Sequence, residues 1–284
     1  TAVHVVIIEG IGGDPAYRDA FSAQVTAIET ASAGMTNSGG VKVFPATEPS
    51  RDAVLSHFDE LAATLDPSDQ LMVYLVGHGS YDDVEYKFNI AGPDLTDADL
   101  IAALGKTASV RQLVVNTSSA SGALAGQLNT DNRVVVLATR SGVERHATRF
   151  GAYFAEALSR PAADTNKDGA ISAREAQTYA SRRVSDYFAR EGQLETEHSV
   201  LEGALADRLL VARLGATRAG AGNDARLAGL LEARDEMNAD IDALRLERDS
   251  MAADEYRAEL LERMLQLARL EDQIESRQQE LGRD

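Results

Sequence analysis

The chain contains no cysteine. That excludes disulfides, thiolate metal sites and cysteine-nucleophile chemistry, and leaves the redox compartment open. Tryptophan is absent as well, and only four of the 28 basic side chains are lysine, an arginine bias that reads as GC-rich codon usage. Basic charge is scarce overall: 45 acidic side chains give a formal net charge of −17. A nucleic-acid groove or an anionic membrane surface needs clustered Lys and Arg, so both are excluded as main partners. No apolar run reaches the roughly 18 residues of a membrane span, and no charged leader precedes an apolar stretch. The chain opens on Thr1 and enters an apolar run at once, which points towards an exported or periplasmic protein that has lost its signal, although a chain cut for expression would start the same way.

What is present is 284 residues, 44% of them hydrophobic, enough for one large α/β domain with an appendage. Short apolar runs at Val3–Ile8, Val41–Phe44, Gln70–Val76, Gln112–Val115 and Arg133–Ala138 have the continuous β-branched and Leu composition of strands buried on both faces of a parallel sheet. Helical patterns lie between them at Ala16–Ala33, Ser50–Leu65 and Thr96–Gly105, with cap-like residues at Ser50 and at Thr96 followed by Asp99. This alternation predicts a doubly wound, mostly parallel sheet with helices on both faces and with functional loops at the carboxyl ends of the strands. The places to search are therefore the segments after Ile8, Val76, Val115 and Ala138.

After the third strand comes Gly77-His78-Gly79-Ser80, a histidine whose glycine neighbours free the backbone and expose the ring, as suits a general base; alone it reads more readily as an incidental loop histidine. After the fourth comes Asn116-Thr117-Ser118-Ser119-Ala120-Ser121-Gly122. This cluster can present a nucleophile and close backbone N–H groups, or it is a plain strand-to-helix turn with serine caps.

At these residues the chain resembles the legumain-like asparaginyl endopeptidases (peptidase family C13), relatives of the caspases and gingipains. A strand ending in His-Gly-Ser, followed by a strand and a Cys-x-Ser-Gly turn, is that family's signature. Here Leu71 to Ser80 and Leu113 to Gly122 match it in order, and Val5 to Gly10 with Tyr17-Arg18 is similar to the family's N-terminal stretch. The resemblance covers residues 1 to about 150. It implies a caspase/legumain-like fold, puts His78 on the catalytic histidine and Ser119 on the catalytic cysteine, and keeps Arg18 of the substrate pocket. Glu144 lies in the segment corresponding to a pocket strand end, so Arg18 and Glu144 are expected to orient a polar or amide side chain. The departures are Ser119, Ala16 on the asparagine that assists the histidine, and Asp19 on a pocket histidine. A serine hydroxyl needs far stronger activation than a thiolate. The expectation is therefore a catalytically inactive pseudopeptidase that binds a peptide or protein partner. The alternatives are a serine-type hydrolase using Ser119 with His78 as base, and a scaffold or oligomerisation protein.

A second motif stands at Asp164-Thr165-Asn166-Lys167-Asp168-Gly169-Ala170-Ile171-Ser172-Ala173-Arg174-Glu175. It fits the twelve-residue calcium loop, with Asp164, Asn166, Asp168, the Ala170 carbonyl, Ser172 and Glu175 as ligands, and Gly169 at the turn. Helical patterns flank it at Phe150–Leu158 and Ser172–Arg190. A single loop suggests a structural calcium clip, and the same residues can also form an unmetallated turn capped by Ser172 or Asp168. Glu197-His198 reads as surface or packing, and His4, His57 and His146 have no better context.

The α/β domain is assigned to residues 1–215, a Gly/Ala-rich linker to 216–222 and a helical hairpin to 223–284. The last 62 residues hold 17 acids and nine Arg, nearly half the net charge. Apolar residues recur every seven positions, at Leu230, Met237, Leu244 and Met251 and again at Leu260, Leu267, Ile274 and Leu281, with a break near Asp249 to Asp254. Two antiparallel helices are expected, their Arg/Glu face solvated and Arg234 and Arg248 disfavouring a long parallel coiled coil. Legumains carry a helical C-terminal region in the same position, but its motifs do not match. A lid over the crevice, a homodimerising hairpin and a docking arm are the three roles open to this tail.

Overall fold

A computed structural model describes residues 2–35, 39–47, 50–214 and 224–281. The stretch expected to be the linker, 216–222, lies outside the described residues. Two compact units are present, one ending at Leu214 and one made by the C-terminal helices.

The first unit is built on a six-stranded sheet. In chain order its strands are β1 (Val3–Glu9), β2 (Gly40–Phe44), β3 (Gln70–Val76), β7 (Arg111–Asn116), β8 (Arg133–Leu137) and β10 (Val200–Glu202). Their order across the sheet is β10-β8-β7-β3-β1-β2, with only β10 antiparallel to its neighbour. The chain runs from β1 to one side and then returns to the other through β3, so the direction of winding reverses between β1 and β3. Crevices open at such a reversal, beyond the carboxyl ends of the strands.

The central strands are continuous apolar runs because both faces are covered. Alternate residues of one face, among them Val6, Ile8, Val73, Leu75, Val114 and Leu137, pack with Val54, Phe58 and Leu61 of α2 (Arg51–Thr64) and with Leu100 and Leu104 of α3 (Asp97–Lys106). The residues between them, Val5, Ile7, Met72, Tyr74, Val115 and Val136, are buried on the other face. There α1 (Pro15–Ala33) and α5 (Ala173–Glu191) contact the sheet, and α4 (Phe150–Ala157) packs against both helices. Each fully buried Val, Leu or Ile contributes about 1.5–3 kcal/mol.

The helix starts follow the caps read in the sequence. The Ser50 hydroxyl accepts from Ala53 N–H, and Thr96 and Asp99 form a reciprocal capping box. Several short strands carry no sequence signal. After β3, a three-stranded antiparallel sheet is formed by β4 (Gly79–Tyr81), β5 (Tyr86–Phe88) and β6 (Leu95–Thr96), and β9 (Ala170–Ser172) pairs with β11 (Leu210–Arg213). At two to four residues these strands are too short for periodicity to register.

The second unit is a pair of helices, α6 (Ala225–Leu246) and α7 (Ala253–Leu281). They run antiparallel, with Arg277 near the end of α7 held by Asp224, the N-cap of α6. Their seam departs from the heptad reading. On α6 the buried line is Leu227, Leu231, Arg234, Asn238 and Ile241, with Leu244, and the apolar cluster is completed by Ile274 of α7. Leu230 and Met237 are only half-buried, and Leu281 is exposed. The seven-residue spacing is kept, in Leu227, Arg234 and Ile241 with Leu231 and Asn238, but this line stands three positions before the expected one, and Arg234 and Asn238 are polar, so an apolar stripe does not mark it. Among the described residues, no helix is long and apolar enough to cross a membrane.

Candidate functional site

The carboxyl ends of β1, β3 and β7 meet at the reversal point. Gly10 N–H donates to the Val76 carbonyl (2.8 Å), Ile11 N–H to the Asn89 carbonyl (3.1 Å) and Asn89 N–H to the His78 carbonyl (3.0 Å). This close approach needs glycine: a Cβ on Gly10 would lie 2.6 Å from the Asn89 carbonyl oxygen, and one on Gly77 would lie 2.9 Å from Gly10 Cα.

His78 is half-buried, its ring set edge-on to Tyr17 and Phe21 of α1 with centroids 4.7 and 4.9 Å away. Burial pushes its pKa down, and the Gly12 backbone offsets this in part. Burial thus disfavours the charged imidazolium. Ser119 follows the adjacent strand, β7. Its hydroxyl donates to the Gly79 carbonyl (2.9 Å) and faces the Gly79 N–H (3.4 Å), and the residue is only 4% exposed. The two predicted dyad members are thus neighbours through Gly79, but their side chains share no hydrogen bond.

Ser119 rests on a buried polar network that sequence reasoning missed. Tyr86 and Ser118 hydroxyls are 2.6 Å apart, Asn116 Nδ2 donates to Tyr86 Oη (2.9 Å), and Ser118 Oγ and N–H both donate to Asn116 Oδ1 (2.8 and 3.1 Å). All three residues are fully buried. Burial, partly offset by Ser118 and Asn116, pushes the Tyr86 phenol up to about 12. Beyond Ser119 the chain turns through Ala120 at φ +56°, a left-handed conformation uncommon for a residue with a Cβ. Ala120 N–H donates to the Glu144 carbonyl (2.8 Å), and Thr139 beyond the end of β8 bonds both Ser121 and Gly122.

Arg18 and Glu144 take different partners. Arg18 lies in the exposed first turns of α1, beside Ala16 and Asp19, and its Nη1 donates to the Gly13 carbonyl (3.3 Å). Glu144 instead contacts His198: Oε1 lies 2.7 Å from His198 Nδ1, and Oε2 accepts the backbone N–H groups of His198 and Arg140 at 3.1 Å. The dipeptide read as surface or packing is a structural tie. Glu197, 3% exposed, caps α4 by accepting from Arg149 and Phe150 N–H. Burial raises its pKa, and those hydrogen bonds only partly counter the effect. No sequence spacing joins Glu144 to His198, because the contact spans 54 residues.

A cleft of about 420 Å³ opens beside His78. Its wall is formed by the β1–α1 loop from Ile11 to Gly13, by the segment from Asn89 to Gly92, and by Asp94. Ser119 does not line it.

The loop from Asp164 to Glu175 has the expected turn, with Lys167 and Gly169 at positive φ. Asp164 accepts the N–H groups of Asp168 and Gly169, and Asp168 that of Ala170. Glu175 accepts from Thr165 and Asn166 through Oε1 and from Ser172 through Oε2. Burial alone would raise the Glu175 carboxyl, but these hydrogen bonds together hold it below its ordinary value. The oxygen donor set suits a hard cation. Among the described residues, however, no three His, Cys, Asp or Glu side chains converge as a metal cluster.

No protein-family model and no curated protein matches the sequence. Solved structures do match in fold. Protein GSU0716 from Geobacter sulfurreducens superposes with a TM-score of 0.53 at 15% identity, covering 76% of this chain and 100% of its own. Caspase-1 from Spodoptera frugiperda gives 0.48 at 11% identity, covering 76% and 91%. A secreted C11 cysteine protease from Bacteroides thetaiotaomicron gives 0.36 at 11%, covering 64% and 59%. The chain shares its α/β fold with GSU0716 and is similar, more loosely, to the two proteases.

Proposed function

We propose that this chain is a legumain-like pseudopeptidase, with Ser119 in place of the catalytic cysteine, that binds a peptide or protein at the cleft beside His78 without cleaving it. The observation that carries this reading is the state of Ser119. Its proton is given to the Gly79 carbonyl, its residue is 4% exposed, and His78 is not hydrogen-bonded to it. An alcohol so placed lacks the activation that serine nucleophiles require. Incubation with Asn- and Asp-containing peptide libraries, followed for cleavage and for binding, tests the proposal: binding without turnover is expected. Turnover lost in Ser119→Ala, or labelling of Ser119 by a fluorophosphonate, would overturn it in favour of the serine hydrolase.

The same proposal includes one structural calcium ion in the loop from Asp164 to Glu175. The Asp164, Asn166, Asp168 and Glu175 side chains, the Ser172 hydroxyl and the Ala170 carbonyl are the donors, and Glu175 would exchange its N–H partners for the ion. Calcium calorimetry on the wild type and Glu175→Gln checks this, with heats lost in the variant. Identical heats remove the site.

A second reading, self-association through residues 223–284, is favoured by Leu261 and Leu265, which stand 61% and 52% exposed on α7. Solution mass with and without that segment decides it: a dimer that survives the truncation refutes the reading.

A further inference from the structure

The wall of the cleft beside His78 contains one fixed charge, Asp94. It is held in place by Asn89, whose Nδ2 donates to Oδ2 (3.1 Å), and by Ile90 N–H, which donates to Oδ1 (3.3 Å). A carboxylate accepts about four hydrogen bonds, so roughly half of its capacity is open. Among the described residues, no basic side chain closes an ion pair with it. Lys87, on the neighbouring strand β5, is engaged by Glu85 (3.1 Å) and Asp82 (3.7 Å), and Asp94 is the weakest of the three carboxylates acting on it. Arg18, which packs beside Gly12 of the wall, is bonded to the Gly13 carbonyl and not to Asp94. The wall side chains Ile11, Ile90 and Ala91 are apolar, and its glycines leave backbone exposed.

We propose that this cleft receives a lysine or arginine side chain of the bound peptide, with Asp94 as its counter-ion. The inference rests on the peptide-binding reading above and names the class of ligand. Long basic side chains suit the site because their methylene stems cover apolar walls while the charged head reaches a carboxylate. Guanidinium adds planar donors that match a carboxylate's two oxygens. The protein's net charge of −17 favours the approach of such a ligand.

The test uses the full chain and a positional-scanning decapeptide library in which one position at a time is fixed as Arg, Lys, citrulline or Glu. Binding is read by fluorescence anisotropy. A second pair of probes, N-acetyl-arginine amide and N-acetyl-citrulline amide, is followed by chemical-shift changes at His78 and Gly92. Arg and Lys pools are expected to bind about tenfold more tightly than citrulline pools, which keep the shape and lose the charge. Asp94→Asn should erase that preference, and Asp94→Glu, which keeps the charge, should retain most of it. The arginine amide should shift the His78 and Gly92 signals while the citrulline amide does not. Equal binding of Arg and citrulline pools, tighter binding of Glu pools, or a preference that survives Asp94→Asn in a folded variant would overturn the assignment. If no pool binds, the peptide-binding reading fails, and the amide pair still decides whether Asp94 forms a cation site.

Discussion

Tyr86→Phe removes a single oxygen from the network beneath Ser119 and leaves the ring in place. In the wild type that oxygen accepts from Asn116 Nδ2 (2.9 Å) and lies 2.6 Å from Ser118 Oγ. Because Ser118 Oγ is within bonding distance of Asn116 Oδ1 as a donor, the phenol supplies the proton between the two hydroxyls. The substitution strips Asn116 of an amide acceptor and Ser118 of a donor, and water cannot replace either because Tyr86, Asn116 and Ser118 are all fully buried. An orphaned buried amide costs about 1–3 kcal/mol and the lost hydroxyl bond about 1 kcal/mol, so the expected loss is about 3 kcal/mol. At about 2–4 °C per kcal/mol for a unit of this size, the melting temperature should fall by about 6–12 °C. Urea unfolding of wild type, Tyr86→Phe, Ser118→Ala and the double variant measures both the loss and the coupling, which should be about 1 kcal/mol. A loss below about 0.5 kcal/mol, with the two substitutions additive, would refute the claim that this network supports the Ser119 turn.

Three further outcomes follow from the same structure. Burial pushes the Tyr86 phenol up to about 12 in the folded state against about 10 in the unfolded chain, so unfolded protein should release its proton first; roughly 3 kcal/mol present below pH 10 should be lost between pH 10 and 12, and Tyr86→Phe should flatten that part of a urea-midpoint profile. Arg133 is 4% exposed and donates to Gln112 Oε1 and to the Leu128 and Leu104 carbonyls, so Arg133→Met should leave buried acceptors unpaired and cost about 2–4 kcal/mol in chemical denaturation; an unchanged midpoint would show that the cation is dispensable. Ser119→Cys should give a thiol that reacts slowly with iodoacetamide at pH 7, because the residue is buried and the His78 ring, whose burial disfavours the imidazolium, is packed on Tyr17 and Phe21; rapid alkylation measured by mass spectrometry would contradict the proposed pseudopeptidase.

The legible parts of the fold share one property. Strands such as Gln70–Val76 and Arg133–Leu137 are buried on both faces, so their burial is written directly as an apolar run. Helix starts at Ser50 and Thr96 are equally readable, since a cap is a local hydrogen bond between residues two or three apart. His78 and Ser119 can be placed at strand ends for the same reason. Which partner Glu144 takes is not legible, because that depends on side-chain direction after a long loop. His198 takes Glu144 from a segment 54 residues away.

The sequence by itself determined the alternation of strands and helices, the absence of any thiol nucleophile, the oxygen-rich loop from Asp164 to Glu175 and the concentration of charge in the last 62 residues. These follow from composition and short-range pattern. Only the tertiary structure decided that Ser119 is sealed against Gly79, that Tyr86 and Asn116 lie beneath it, that Glu197 and His198 tie down the loop after β8, and that the cleft contains Asp94 rather than Ser119. Each of those contacts joins residues remote in the chain. What brings them together is the burial of the sheet's two faces, which sets where the strand ends lie.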